Sequence, residues 1–127
     1  MPEESLLLKE VLPNILYFQC VGEQSYNDTM KRFNKMYAEL QAHAIWNVLV
    51  EGATENRLSL IESYNAIKSI KQKLGMDFFK VRVAFLDQRS KGFEHNVFAE
   101  NVATNRGLCL RFFQCKEEAL NWLQTST

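Results

Sequence analysis

The sequence is poor in residues that break regular structure. Its 127 residues include two Pro and five Gly, and these do not gather into a linker, so one domain is expected to span residues 1–127. A domain of this length buries about two-thirds of the surface of its unfolded chain. Because 46% of the residues are hydrophobic, the core is expected to form without a disulfide or a metal.

Cysteine is scarce, and charge of one sign is not in excess. Cys20, Cys109 and Cys115 are an odd number with wide spacing, which favours reduced thiols in a cytoplasmic protein. The formal net charge is zero, so the basic stripe of a nucleic-acid-binding protein is not expected. No apolar run approaches the roughly 20 residues of a membrane span, and the acidic start with Glu3 and Glu4 is unlike a signal peptide.

The motifs of common catalytic and metal sites are also missing. The sequence contains no glycine-rich phosphate loop and no CxxC or HExxH pattern, so neither metal nor cofactor is expected. Cys109 alternates with Leu108 and Leu110 and is predicted to be buried and inert. Cys115 stands beside Lys116 at a predicted helix start, which favours the reactive thiolate, although a structural role is the simpler interpretation.

The spacing of hydrophobic residues predicts five strands and four helices. Short apolar runs bounded by turn residues predict the strands, and apolar residues three and four positions apart predict the helices. The order β-β-α-β-α-β-α-β-α predicts a mostly parallel five-stranded sheet flanked by four helices. The first strand is the one expected to break the parallel pattern. The expected strands are 6–12, 15–21, 45–50, 79–85 and 108–113, and the expected helices begin near Tyr26, Leu60, His95 and Glu117.

Residues at the expected helix ends support these boundaries. Ser25 is placed as an N-cap, Ser59 and Glu62 have the spacing of a capping box, and Gly75 stands where a C′ residue ends the second helix. The apolar stripes expected to face the core are Tyr26, Met30, Phe33, Tyr37 and Leu40 in the first helix and Leu60, Tyr64, Ile67, Ile70 and Leu74 in the second.

Polar loops follow the third and fourth expected strands. In open parallel sheets, ligands bind at the carboxyl ends of the strands, so we expect the loops Glu51–Ser59 and Asp87–Glu94 to share a binding surface. Ser59 is explained as an N-cap, although a helix N-terminus with a hydroxyl can also hold an anion or accept a phosphoryl group. The candidate residues for contact with a ligand or partner are Thr54, Asn56, Arg57, Ser59, Asp87, Arg89, Ser90 and Lys91.

The C-terminal part of the chain carries a family resemblance. Residues 81–85 read VRVAF, 98–103 read FAENVA, 110–113 read LRFF and 117–123 read EEALNWL. This pattern resembles the SpoIIAA-like, STAS/SEC14-type small domains, and the order of elements agrees over nearly the whole chain. The resemblance implies a helix-flanked sheet and a single SpoIIAA-like (STAS-type) domain over residues 1–127.

The resemblance implies two non-enzymatic roles. Anti-sigma-factor antagonists of the STAS group bind a partner kinase and are switched by phosphorylation of a serine at a strand-to-helix turn, the place of Ser59 in this chain. Their Asp-Ser-Ser-Gly signature is absent, since residues 55–59 read ENRLS, so a regulatory protein-interaction module without that signature is expected. SEC14-type domains bind lipids, which makes a carrier of a small apolar ligand the alternative. The wall of its pocket would be formed by Phe93, Val97, Phe98 and Val102.

Two further possibilities rest on the residues alone. An enzyme that uses polar groups of the two loops with Cys115 or His95 is a third hypothesis, but the missing motifs favour a protein without catalytic activity. Apolar surface left by the first strand and by the surplus of aromatic residues would allow a homo-oligomer.

Overall fold

A computed structural model describes residues 6–22, 25–54, 60–86 and 107–124. The strands are β1 (Leu6–Leu12), β2 (Ile15–Gly22), β3 (Asn47–Thr54), β4 (Arg82–Leu86) and β5 (Cys109–Phe113). They form one sheet in the order β1-β2-β3-β4-β5. β1 pairs antiparallel with β2, and the other neighbouring strands pair in parallel. The fold is α/β and the sheet is mixed, with the first strand breaking the parallel pattern as predicted.

The described part of the chain contains three α-helices instead of the four that we expected. They are α1 (Tyr26–His43), α2 (Leu60–Leu74) and α3 (Lys116–Gln124), and a 3-10 helix, Gly75–Phe79, follows α2. The fourth expected helix, near His95–Arg106, lies outside the described residues. Ser25 accepts a hydrogen bond from the backbone N of Asp28 at 3.0 Å, and Gly75 has a φ of 57°, so the predicted N-cap of α1 and C′ residue of α2 are confirmed.

The turn between β1 and β2 follows from Pro13 and Asn14. Leu12 is opposite Ile15, so these two residues alone reverse the chain, and Asn14 has a φ of 66°, a conformation that Asn tolerates better than most residues. A bulge at Lys9 interrupts the pairing of β1 with β2. Bulges and lysines on an edge strand hinder unwanted pairing with another strand.

Helices α1 and α2 lie on the same face of the sheet. Each parallel strand lies next to the strand that precedes it in the sequence. The crossovers therefore all run in the same direction across the sheet, and because they are right-handed their helices lie on one face. We call this the helix-pair face. Its buried core consists of Leu6, Leu16, Phe18, Cys20, Phe33, Leu40, Val48, Val50, Ile67, Leu74, Phe78, Val81, Val83 and Leu108.

The predicted stripe of α1 is confirmed at Met30, Phe33, Tyr37 and Leu40, whereas that of α2 is wrong at Tyr64. In α1, Phe33 and Leu40 are buried, and Met30 and Tyr37 pack against the same core. In α2, Tyr64 is exposed, because the helix turns Ser63 and Ala66 toward the sheet instead.

Helix α3 covers the opposite face, which we call the α3 face. The buried residues there are Ile15, Tyr17, Leu49, Ala84, Leu86, Ala119 and Leu123. Arg82 of β4 donates hydrogen bonds to the backbone oxygens of Trp122 and Leu123, each at 3.3 Å. Its guanidinium lies 4.2 Å from the centre of the Trp122 ring. A cationic side chain at the end of a helix donates hydrogen bonds to its last carbonyls and interacts favourably with the negative end of the helix dipole. Arg82 therefore fixes the end of α3 on the sheet.

Three further sequence-based expectations need correction. β3 continues to Thr54, because Glu51 and the residues after it pair with β2, so the polar loop starts later than predicted. Phe79 belongs to the 3-10 helix and β4 begins at Arg82. Cys109 is exposed, since β5 is an edge strand of the sheet and not a central one.

Candidate functional site

The carboxyl ends of β3 and β4 lie side by side. Glu51 is opposite Leu86, so the strands that lead into the two predicted binding loops end at the same edge of the sheet. Of the predicted contact residues, Thr54 is the last residue of β3. The others, Asn56, Arg57, Ser59, Asp87, Arg89, Ser90 and Lys91, lie outside the described residues. The proposed pocket wall of Phe93, Val97, Phe98 and Val102 also lies outside them.

A polar cluster lies on the α3 face near this edge. Tyr17 of β2 donates a hydrogen bond from its hydroxyl to Oε1 of Glu51 on β3. The ammonium of Lys116, the first residue of α3, lies 4.4 Å from the centre of the Tyr17 ring. The strand register explains this contact. Tyr17 is opposite Leu49 of β3, and Glu51 is two residues further along β3 on the same face of the sheet. Tyr17 thus joins β2, β3 and α3.

The surroundings of Tyr17 favour its neutral form. Burial and the hydrogen bond to Glu51, followed by the negative charges of Glu51 and Glu10, raise the pKa of Tyr17 to about 12 from its ordinary value of 10. A phenol with this pKa is protonated throughout the physiological range. Tyr17 is therefore suited to donate a hydrogen bond and unsuited to act as a base.

The helix-pair face has its own polar group at the same edge. Arg32 of α1 is buried and donates a hydrogen bond from Nη2 to the backbone oxygen of Val21 at 3.2 Å. Burial raises the pKa of the Cys20 thiol, and the guanidinium of Arg32 opposes this rise. Among the described residues, no atom lies within 4 Å of the position that a Cβ on Gly52 would take.

The α3 face is covered unevenly beside the cluster. Helix α3 packs on β4 and also contacts β3 and β5. On β1 and β2, by contrast, Leu7 is 41% exposed, Glu10 is exposed, and Gln19 and Val21 are partly exposed. The register places these four side chains on the α3 face, because Leu7 is opposite Gln19 and Glu10 is opposite Tyr17. We call Leu7, Glu10, Gln19 and Val21 the β1–β2 patch.

Sequence reasoning missed both the polar cluster and the β1–β2 patch. The sequence predicts a loop at Glu51, because it follows a continuous apolar run, and places Tyr17 only within the apolar strand 15–21. The signal available in the sequence was the alternation of side chains along a strand, which places Leu7 and Gln19 on the opposite face of the sheet from their neighbours in the chain. Alternation alone does not say which face the last helix covers.

The described residues contain no group of three or more His, Cys, Asp and Glu side chains that could hold a metal ion. Within the same parts of the chain, no helix is long and apolar enough to cross a membrane. Cys115 is exposed, as expected, and His43 is exposed at the end of α1 with its Nε2 3.5 Å from Glu39.

The mixed sheet with paired helices on one face and a C-terminal helix on the other is a SpoIIAA-like fold. A crystal structure of an uncharacterised protein of the DUF3478 family from Shewanella loihica PV-4, described as having a SpoIIAA-like fold, superposes with a TM-score of 0.59. The alignment covers 97% of this chain and 98% of that one at 21% identity. The expected resemblance to SpoIIAA-like domains is confirmed at the level of the fold. No protein-family model and no curated protein matches the sequence.

Proposed function

We propose that this domain is a non-catalytic binding module that contacts a protein partner through the β1–β2 patch. The observation that carries the proposal is the uneven cover of the α3 face, where Leu7 stays 41% exposed next to an ordered polar cluster. Apolar surface rimmed by polar groups is typical of protein interaction sites. The proposal keeps the regulatory class that the SpoIIAA-like resemblance implies.

The chemistry of the described groups supports binding over catalysis. The hydroxyl of Tyr17 is already engaged by Glu51, and its raised pKa makes it a poor base near neutral pH. Burial raises the pKa of the Cys20 thiol, and a protonated thiol is a weak nucleophile. Tyr17 instead joins β2 to β3 through Glu51 and contacts Lys116 of α3, which is a structural role beside the patch.

The charges of the patch favour a partner with a basic residue beside an apolar one. Glu10 is exposed within the patch, and the carboxylate of Glu51 lies at its border with β3. Lys116 lies beside the same cluster through its contact with Tyr17, so its ammonium offsets one of the two carboxylates. A partner lysine or arginine would reach Glu10, while an apolar side chain covers Leu7.

The test uses two single substitutions in β1. Leu7→Arg places a charge in the patch, and Val11→Arg places the same charge at a residue that is 48% exposed. Val11 is opposite Leu16, which belongs to the core of the helix-pair face, so the control changes the other face. Tagged full-length wild type and both variants are purified from the native host, and co-purifying proteins are quantified by mass spectrometry.

We expect one protein to be recovered in near-stoichiometric amount with wild type and Val11→Arg, and to be reduced about tenfold or more with Leu7→Arg. The interaction is then measured with the two purified proteins by titration calorimetry. Equal recovery with Leu7→Arg and wild type contradicts the proposed surface. Turnover by the purified domain in a substrate screen contradicts the non-catalytic part of the proposal.

A further inference from the structure

The 3-10 helix Gly75–Phe79 presents two large apolar side chains to solvent. Met76 is 83% exposed and Phe79 is 61% exposed. Residues three apart in a 3-10 helix lie above one another on the same side, so Met76 and Phe79 form one apolar protrusion. Contiguous exposed apolar surface of this kind marks sites of association.

The ring of Phe79 is held in place although it is exposed. Its centre lies 5.6 Å from that of Phe78 in an edge-to-face arrangement. On another side it lies against Gly107, where an added Cβ would be 2.6 Å from Cε1 of Phe79. Gly107 has a φ of 89°, which glycine adopts without strain. A side chain fixed before association loses little conformational entropy when it is covered.

Charges of both signs lie beside the apolar protrusion. Asp77 Oδ1 lies 3.2 Å from the ammonium of Lys80, and Asp77 Oδ2 accepts a hydrogen bond from the hydroxyl of Tyr37 at 3.0 Å. The side chain of Lys80 is more than half exposed. The surface therefore carries apolar groups beside an anion and a cation that are paired within one chain. Two copies facing each other could exchange these ion-pair partners, so the surface is self-complementary.

We propose that Met76, Asp77, Phe79 and Lys80, the 3-10 patch, form the interface of a symmetric dimer of this chain. Two-fold symmetry brings the same patch of both copies together, so the apolar pairs cover each other and Asp77 of each copy lies beside Lys80 of the other. The formal net charge of zero leaves no overall repulsion against self-association. The patch is small, so the dimer is weak and forms at high protein concentration.

The dimer would give the molecule two binding surfaces. The 3-10 helix precedes β4 at the amino end of the sheet, whereas Gln19 and Val21 lie toward the carboxyl end of β2. Dimerisation thus leaves both copies of the β1–β2 patch open, and a partner with two binding segments gains affinity through effective concentration. This consequence rests on the proposed function, but the dimer itself does not.

Analytical ultracentrifugation of the full chain from roughly 1 µM to 1 mM measures the dimer dissociation constant. We expect a concentration-dependent dimer whose dissociation constant rises about tenfold or more in Met76→Lys. Ile61→Lys is the matched control, because Ile61 of α2 is 73% exposed and lies outside the patch. A chain that is monomeric over the whole range overturns the proposal, and so does an equal effect of the two variants.

A charge exchange tests the proposed contact between Asp77 and Lys80. Asp77→Lys and Lys80→Asp each bring like charges together across the two-fold axis, so each variant alone is expected to dimerise at least about tenfold more weakly than wild type. Mixing the two restores both attractive contacts, and a heterodimer is expected at wild-type strength. Folding of each variant is checked by circular dichroism. Two folded variants that do not associate when mixed overturn the proposed contact, and an unfolded variant leaves the decision to Met76→Lys.

Discussion

The two faces of the sheet are built differently. On the helix-pair face, two helices and the 3-10 helix enclose a core of fourteen buried residues among those described. On the α3 face, one helix of nine residues encloses seven. Adjacent residues of β2 show the contrast, since Phe18 is fully buried on the first face and Tyr17 on the second donates a hydrogen bond to Glu51. The first face is therefore expected to supply most of the stability, whereas the second leaves side chains of β1 and β2 exposed.

The same contrast explains how α3 is held. A nine-residue helix forms poorly by itself in water, because the cost of nucleation is spread over few hydrogen bonds. The α3 helix therefore depends on the side chains that attach it to the sheet, namely Leu123 in the core, Arg82 at its end and Lys116 at its start. Substitutions on the helix-pair face are expected to destabilise the domain more, and over more of the chain, than substitutions under α3.

The largest effect is expected for Phe18→Ala. The ring of Phe18 lies in the main core with no exposed surface, and removal of a buried Phe side chain costs about 3–5 kcal/mol. Urea unfolding followed by circular dichroism measures the loss, which is expected to weaken the whole domain in one transition. A loss under 1 kcal/mol would mean that the helix-pair face is not the main source of stability.

A smaller and more local effect is expected for Leu123→Ala. Leu123 is buried under α3, and the substitution is expected to cost about 2–3 kcal/mol, toward the low end of the range for Leu→Ala because a terminal helix can shift to fill part of the space. Hydrogen exchange measured by NMR is expected to rise first in residues 116–124 and only slightly in β2 and β3. Equal increases across the sheet would show that the two faces unfold as one unit.

Much of this contrast could be predicted from the sequence. The two-residue turn at Pro13 and Asn14, the stripe of α1 and the antiparallel first strand all follow from local residue patterns, and the structure confirms them. The polar cluster on the α3 face could not be predicted, because the hydrogen bond between Tyr17 and Glu51 depends on strand order and register. The buried assignment of Cys109 failed for the same reason, since an apolar run does not reveal that its strand lies at the edge of the sheet.

Alkaline titration is expected to isolate Tyr17. Its folded-state pKa of about 12 lies above the ordinary value of 10, so its contribution to stability is complete below pH 10 and is lost as the pH rises through about 12. Tyr17→Phe removes the hydrogen bond to Glu51 and is expected to cost about 0.5–1.5 kcal/mol at neutral pH. Ultraviolet absorbance of phenolate measures the titration, and the variant should lack the component near pH 12.

Tyr37→Phe is the control for this titration. Burial and the hydrogen bond to Asp77 also raise the pKa of Tyr37, but Tyr37 lies in α1 on the helix-pair face. The component near pH 12 should therefore remain in Tyr37→Phe. If it persists in Tyr17→Phe as well, the cluster on the α3 face does not hold Tyr17 as described.

The smallest effect is expected in the labelling rates of the three cysteines, which report how readily the helix-pair face opens. Cys20 is buried in the core of the helix-pair face, whereas Cys109 and Cys115 are exposed. A small disulfide reagent is expected to label two thiols quickly and the third more than about tenfold more slowly, because labelling of Cys20 requires local opening. Cys20→Ala should remove the slow phase alone, with Cys109→Ala as the matched control. Three fast phases would mean that the helix-pair face opens readily, and the assignment of stability to that face would then fail.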